Sequence, residues 1–134
     1  MTKQEFLEKY GKDHIIVYGG TSVQISRTPK TIREGERLAP IPSAAVYIDD
    51  MNFGNIERPF SCFEVDPGMH KFQIVGNFGR NGVLYTDPRP ARVKPESSLM
   101  ISVKSVECLS GVYFSIKEFT DLDEFLSYTG VSLY

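Results

Sequence analysis

Few side chains in this chain could carry chemistry: His14 and His70, Cys62 and Cys108, and the oxygens of Asp49, Asp50 and Asn52. Nucleophilic catalysis needs a nucleophile, a base beside it and a third group to orient the base. Only His14 and His70 can supply a histidine base, and His70 directly follows Pro67-Gly68-Met69, so a turn accounts for it without chemistry. Asp49, Asp50 and Asn52 offer the hard oxygens calcium takes, but a full site needs six to eight of them and the EF-hand spacing is missing. Turn-forming by Asp and Asn explains them instead. Cys62 and Cys108 are far apart and in no metal-like spacing; two cysteines permit a disulfide but do not require one. The expectation is a protein with no catalytic residues, no metal and no cofactor.

A second group of residues suits binding. Arg80, Arg89, Arg92 and Lys94 lie near Phe78 and Tyr85, and cations interleaved with rings can hold single-stranded nucleic acid. The formal net charge of −2 opposes that use, so these cations are read as groups that keep a sheet edge soluble, and no nucleic-acid partner is expected. The glycines of residues 76–82 do not sit between a strand and a helix, as a phosphate-binding loop requires. The surfaces left for binding are that loop and the irregular stretch 27–42, whose length goes with function or mobility. The expected contact residues are Phe53, Phe78, Arg80, Tyr85 and Arg89. Tyr128, Val131, Leu133 and Tyr134 read as a terminal segment packed on the sheet, with a partner-binding tail as the alternative.

These residues need elements to position them. Thr2 and Glu5 form a capping box, and Phe6, Leu7 and Tyr10 share one side of a short helix that Gly11 ends in a left-handed cap. His14–Tyr18 is an apolar strand, and Thr21–Ser26 alternates after Gly19-Gly20, which predicts a hairpin. Ala44–Asp49 is a strand followed by a turn over residues 50–54. Phe60–Val65 and His70–Val75 read as a hairpin through Asp66-Pro67-Gly68-Met69, with Val65 opposite His70 and Phe63 opposite Phe72. Val83–Thr86 is a short strand, and Pro88 and Pro90 confine any continuation to a sheet edge. Residues 99–104 and 112–117 alternate as two neighbouring antiparallel strands. A closing helix follows over 120–128, capped by Thr120, with Leu122, Phe125 and Leu126 on its apolar side.

A chain of 134 residues fits one domain and can bury a core without staples. Many short strands with 11 glycines and 8 prolines predict a mainly β, antiparallel β-sandwich with short N- and C-terminal helices, spanning 1–134. No apolar run approaches the roughly 18 residues of a membrane span, and no secretory h-region opens the chain, so a cytoplasmic location is expected.

Residues 46–54 (VYIDDMNFG) and 65–72 (VDPGMHKF) resemble the PEGA-type module, with its V-Y-x-D-G strand and turn and its P-G-x-H opening of the next strand. Asp50 stands at the pattern's Gly, and the likeness covers residues 44–105. The resemblance implies a transthyretin-like or carboxypeptidase-regulatory-like sandwich, and a non-catalytic accessory module of bacterial type. The expected function is therefore binding or scaffolding, with a protein partner or self-association. The alternative is a carbohydrate or small-molecule module using a groove lined by Phe53, Phe78 and Tyr85.

Overall fold

The computed structural model describes residues 1–24, 38–40, 44–57, 60–77, 83–108 and 111–133. It is mainly β, with two stacked sheets and two short helices, as composition and turn pattern predict. Helix α1 (Lys3–Tyr10) starts at the expected box: Thr2 Oγ1 accepts from the Glu5 amide at 3.1 Å, and the Thr2 amide donates to Glu5 Oε1 at 3.1 Å. Its Gly11 cap keeps a right-handed φ of −71° rather than the left-handed form, and its amide still closes a bond to Leu7 O at 2.8 Å.

The first sheet is built on β10 (Leu99–Cys108). One whole edge of β10 pairs with β11 (Gly111–Phe119), in the antiparallel arrangement expected. The other edge is shared by β1 (His14–Gly19) and β2 (Thr21–Gln24), both parallel to β10. Gly19-Gly20 is therefore no hairpin turn. The chain continues along the same edge of β10 with a one-residue shift of register, and the Gly20 amide donates to Val103 O at 2.7 Å. Close approach explains these glycines: a Cβ on Gly19 would stand 2.7 Å from Ile56 Cγ2, and one on Gly20 would stand 2.9 Å from Lys104 Cγ. Beyond β1 and β2 lie β6 (Ser61–Glu64) and β3 (Leu38–Pro40), the latter inside the stretch expected to be irregular.

The second sheet runs β5 (Met51–Asn55), β4 (Ala44–Ile48), β7 (Gly68–Asn77), with β8 (Val83–Tyr85) and β9 (Arg89–Val93) sharing the far edge of β7. Of residues 50–54, expected as a turn, 51–54 belong to the strand β5 because the turn is shorter. Asp49 and Asp50, with φ of 53° and 67°, make a two-residue loop whose twist suits a hairpin. Between β8 and β9 the pairing slips by one residue. Thr86 fills the gap: its amide donates to Ile74 O at 2.9 Å and its Oγ1 accepts from the Ile74 amide at 3.0 Å.

The expected hairpin between residues 60–65 and 70–75 does not form. β6 pairs with β1, with Phe63 opposite Ile15, and β7 pairs with β4, with Phe72 opposite Ile48. Residues 65–67 carry the chain from one sheet to the other. The cause lies in β1, where Ile15, Ile16 and Val17 are all buried. A strand covered on both faces sits inside its sheet and needs a neighbour on each edge. β10 takes one edge and β6 the other.

Between the sheets the core contains Ile15 and Val17, Val46 and Ile48, Phe72 and Ile74, Ala91 and Val93, and Leu99, Ile101 and Val103. The opposite face of the first sheet is covered by α1 and α2 (Leu122–Thr129), with Phe6, Ile16, Met100, Phe119, Leu122 and Phe125 forming a second core. Phe60 sits in this layer, 5.6 Å from Phe6 and 5.3 Å from Phe125 between ring centres. The cap of α2 is Asp121, one residue after the expected Thr120, and its Oδ2 accepts from the Glu124 amide at 3.3 Å. Leu122 and Phe125 are buried as the stripe predicts, with Leu126 packed at their margin.

Candidate functional site: the cleft at the end of the sandwich

An open cleft of about 360 Å³ lies at one end of the sandwich, lined by Ile48, Asp49, Phe53, Glu64, Val65, Asp66 and His70. Three local events place these groups. The two-residue turn after β4 projects Asp49 past the end of the core strand. The crossing after β6 brings Asp66 over from the other sheet, held by the bond from the Val65 amide to Asp13 O at 2.9 Å. Gly68, at φ +130°, then turns the chain into β7, so that His70 lies two residues before the buried Phe72 on the same face.

His70 joins the pieces. Its Nδ1 is 2.6 Å from Asp49 Oδ2, and its Nε2 is 2.6 Å from the Asp66 carbonyl oxygen. Both partners are acceptors, so the arrangement is satisfied in full only when both ring nitrogens donate, that is, by the imidazolium form. Only 13% of the His70 side chain is exposed, against 51% for Asp49. Partial burial works to lower the His70 pKa, but the hydrogen bonds to Asp49 and Asp66 and the charges of both carboxylates outweigh it and raise it above 6.5. The His70 bond, with a second bond from the Lys71 amide, holds Asp49 below its ordinary 3.8. That second bond reaches Asp49 Oδ1 at 2.9 Å, and Lys71 Nζ reaches Asp50 at 2.6 Å.

The oxygens that suggested a calcium loop thus have protein partners, and Asn52 Oδ1 is 2.8 Å from the Gly54 amide that donates to it. Among the described residues there is no cluster of three or more side chains suited to a metal ion. Cys62 is a free thiol and faces the helices, because its register partner Ile16 belongs to the helix-side core. Burial, slightly opposed by the charge of Lys9, pushes it up to about 11. Cys62 and His70 lie on different sheets, in β6 and β7. His14 is not among the cleft residues; its Nδ1 lies 2.7 Å from Lys12 O.

Of the expected contact residues, Phe53 lines the cleft, its ring set edge-on to Phe63 at 5.8 Å. Tyr85 is 69% exposed on β8, at the opposite edge of the sheet from Phe53, so the two share no groove. Arg89 reaches across to Glu118 at 3.8 Å and ties β9 to β11. Phe78 and Arg80 lie outside the described residues, as do most of the stretch 27–42 and of the loop 76–82.

The sequence reading passed over the convergence of Asp49 with His70. The signal was present: residues 44–48 and 72–76 alternate in a way that suits pairing, and that pairing carries Asp49 to the Lys71 position. Alternation reports which face a residue takes, and the Asp-Pro-Gly turn signal decided the partner instead. No protein-family model, curated protein or solved structure matches the chain. Among the described residues no helix is long and apolar enough to cross a membrane.

Proposed function

We propose that the protein is a non-catalytic binding or scaffolding module whose partner is a protein or a second copy of its own chain. The state of His70 carries this reading. In the charged arrangement, with both nitrogens donating to acceptors, the ring has no lone pair with which to take a substrate proton. The Cys62 thiol, held up to about 11, is a poor nucleophile. The groups that could do chemistry serve the architecture, and a rigid two-sheet core presents its ends for binding.

Met51, 64% exposed between the cleft residues Asp49 and Phe53, is the position at which to probe for a partner. With a photoreactive residue there, irradiation in host cells is expected to yield one adduct of defined mass, a protein or a second copy, that excess unlabelled protein competes away. Turnover of an ester, phosphate or glycoside substrate by the purified protein, lost in His70→Asn, would overturn the proposal.

One observation favours a second reading, a carbohydrate or small-molecule module. The Phe53 ring lines the cleft beside Glu64 and Asp66, and an apolar ring among a few polar groups suits a small ligand. Saturable shifts of the Phe53 ring resonances on titration with oligosaccharides would support it.

A further inference from the structure

We infer that His70 is a protonation-dependent latch, closing the crossing at residues 65–67 against the β4–β5 turn when charged and releasing the crossing when neutral. The argument is one of donor counting. Two oxygen acceptors stand 2.6 Å from the two ring nitrogens, so the closed arrangement needs two N–H groups. A neutral imidazole has one. Deprotonation therefore costs one bond and leaves a nitrogen lone pair facing an oxygen at close range.

Which bond breaks also follows from the geometry. The bond to Asp49 is charge-assisted, whereas the Asp66 partner is a neutral carbonyl, so the remaining proton stays on Nδ1. The turn is secured independently: the Lys71 amide donates to Asp49 Oδ1 at 2.9 Å, and the Asp49 amide donates to Lys71 O at 2.8 Å. The crossing has less to hold it once Nε2 lets go. The charged groups around the ring are Asp49 and Asp50 from the turn, Glu64 and Asp66 from the β6 side, and Lys71 on its own strand. Opposite it in β9 stands the uncharged Ala91, with the exposed Arg92 next along. Carboxylates outnumber cations here, so the surroundings favour the closed, protonated form. Because Asp66, Val65 and His70 line the cleft, release alters its mouth. The latch stands whatever the cleft binds.

Long-range proton–nitrogen correlation spectra of the imidazole, recorded on the whole protein across the His70 titration, give the test, with amide exchange measured on the same samples. Below the transition both nitrogens carry protons. Above it the expected tautomer is Nδ1–H, and the amides of Val65, which donates to Asp13 O at 2.9 Å, and of Gly68, opposite Val93 in the β7–β9 ladder, lose up to about tenfold of their protection after correction for intrinsic pH dependence, the net strength of one hydrogen bond. The Asp49 amide, which donates to Lys71 O at 2.8 Å, and the Met51 amide, opposite Ile48 in the hairpin, keep theirs. In His70→Gln, protection at Gly68 is low and free of the transition. An Nε2–H tautomer at high pH, or unchanged Gly68 protection as wild-type His70 titrates, sinks the latch; the wild-type measurement decides even if the variant fails to fold.

Discussion

Asp49 Oδ2 and His70 Nδ1 are 2.6 Å apart although 21 residues separate them in the chain. The contact exists because β4 and β7 pair antiparallel, with Ile48 opposite Phe72, which carries the residue after β4 to the start of β7. The pair is set by strand register rather than by any local motif.

Its electrostatic consequence has a definite sign. A histidine raised above 6.5 on folding contributes stability that is complete below 6.5 and fades as pH rises through the folded value. Asp49, lowered from 3.8, contributes above 3.8, and its share is lost as pH falls through the folded value. The two contributions coexist from about pH 4 to 6.5. In Asp49→Asn the His70 titration, followed by proton NMR, is expected to move down toward 6.5, and the fall in urea midpoint between pH 6 and pH 9 is expected to shrink. An unchanged His70 titration would mean that Asp49 does not hold the ring.

Burial of the Cys62 thiol makes it unreactive at ordinary pH. Thiolate is the attacking species, so a group held at about 11 presents roughly a hundredfold less of it at pH 8 than one at 9. Alkylation by iodoacetamide, followed by peptide mass spectrometry, is expected to be at least tenfold slower at Cys62 in the folded protein than in urea. Equal rates in the two conditions would contradict the burial.

The helix layer depends on one ring. Phe125 is fully buried and lies 5.3 Å from Phe60 and 5.6 Å from Phe119. Phe125→Ala is expected to cost about 3–5 kcal/mol in urea unfolding. Leu7→Ala, at a position 50% exposed on α1, should stay within about 0.5 kcal/mol of wild type. Comparable losses at both sites would show that the helices do not dock through Phe125.

Gly68 tests backbone conformation without steric crowding. Its φ is +130°, and a Cβ there would meet nothing within 4 Å. Gly68→Ala is therefore expected to lose about 1–3 kcal/mol from backbone strain alone. A neutral outcome would show that the crossing into β7 can adopt another path.

Local signals announced much of this fold. Thr2 and Glu5 cap α1 as their spacing predicts, because a capping box closes within four residues. The alternation of residues 99–104 and 112–117 paired them correctly, since little chain lies between them. Gly19-Gly20 misled because glycine serves turns and close approaches alike, and only the neighbouring Ile56 and Lys104 tell which. Asp66-Pro67-Gly68 misled for a related reason: the same residues that close a hairpin also let a chain change sheets.

The sequence by itself determined which faces are apolar, where the chain turns and that the class is mainly β, because these depend on residues within a few positions of one another. Only the tertiary structure decided that β1 needs β6 as its second neighbour, that β7 therefore turns to β4, and that Asp49 meets His70 as a result. Partner choice between strands is settled by which edges remain open after the most buried strand has taken its neighbours, and that is a property of the whole sheet.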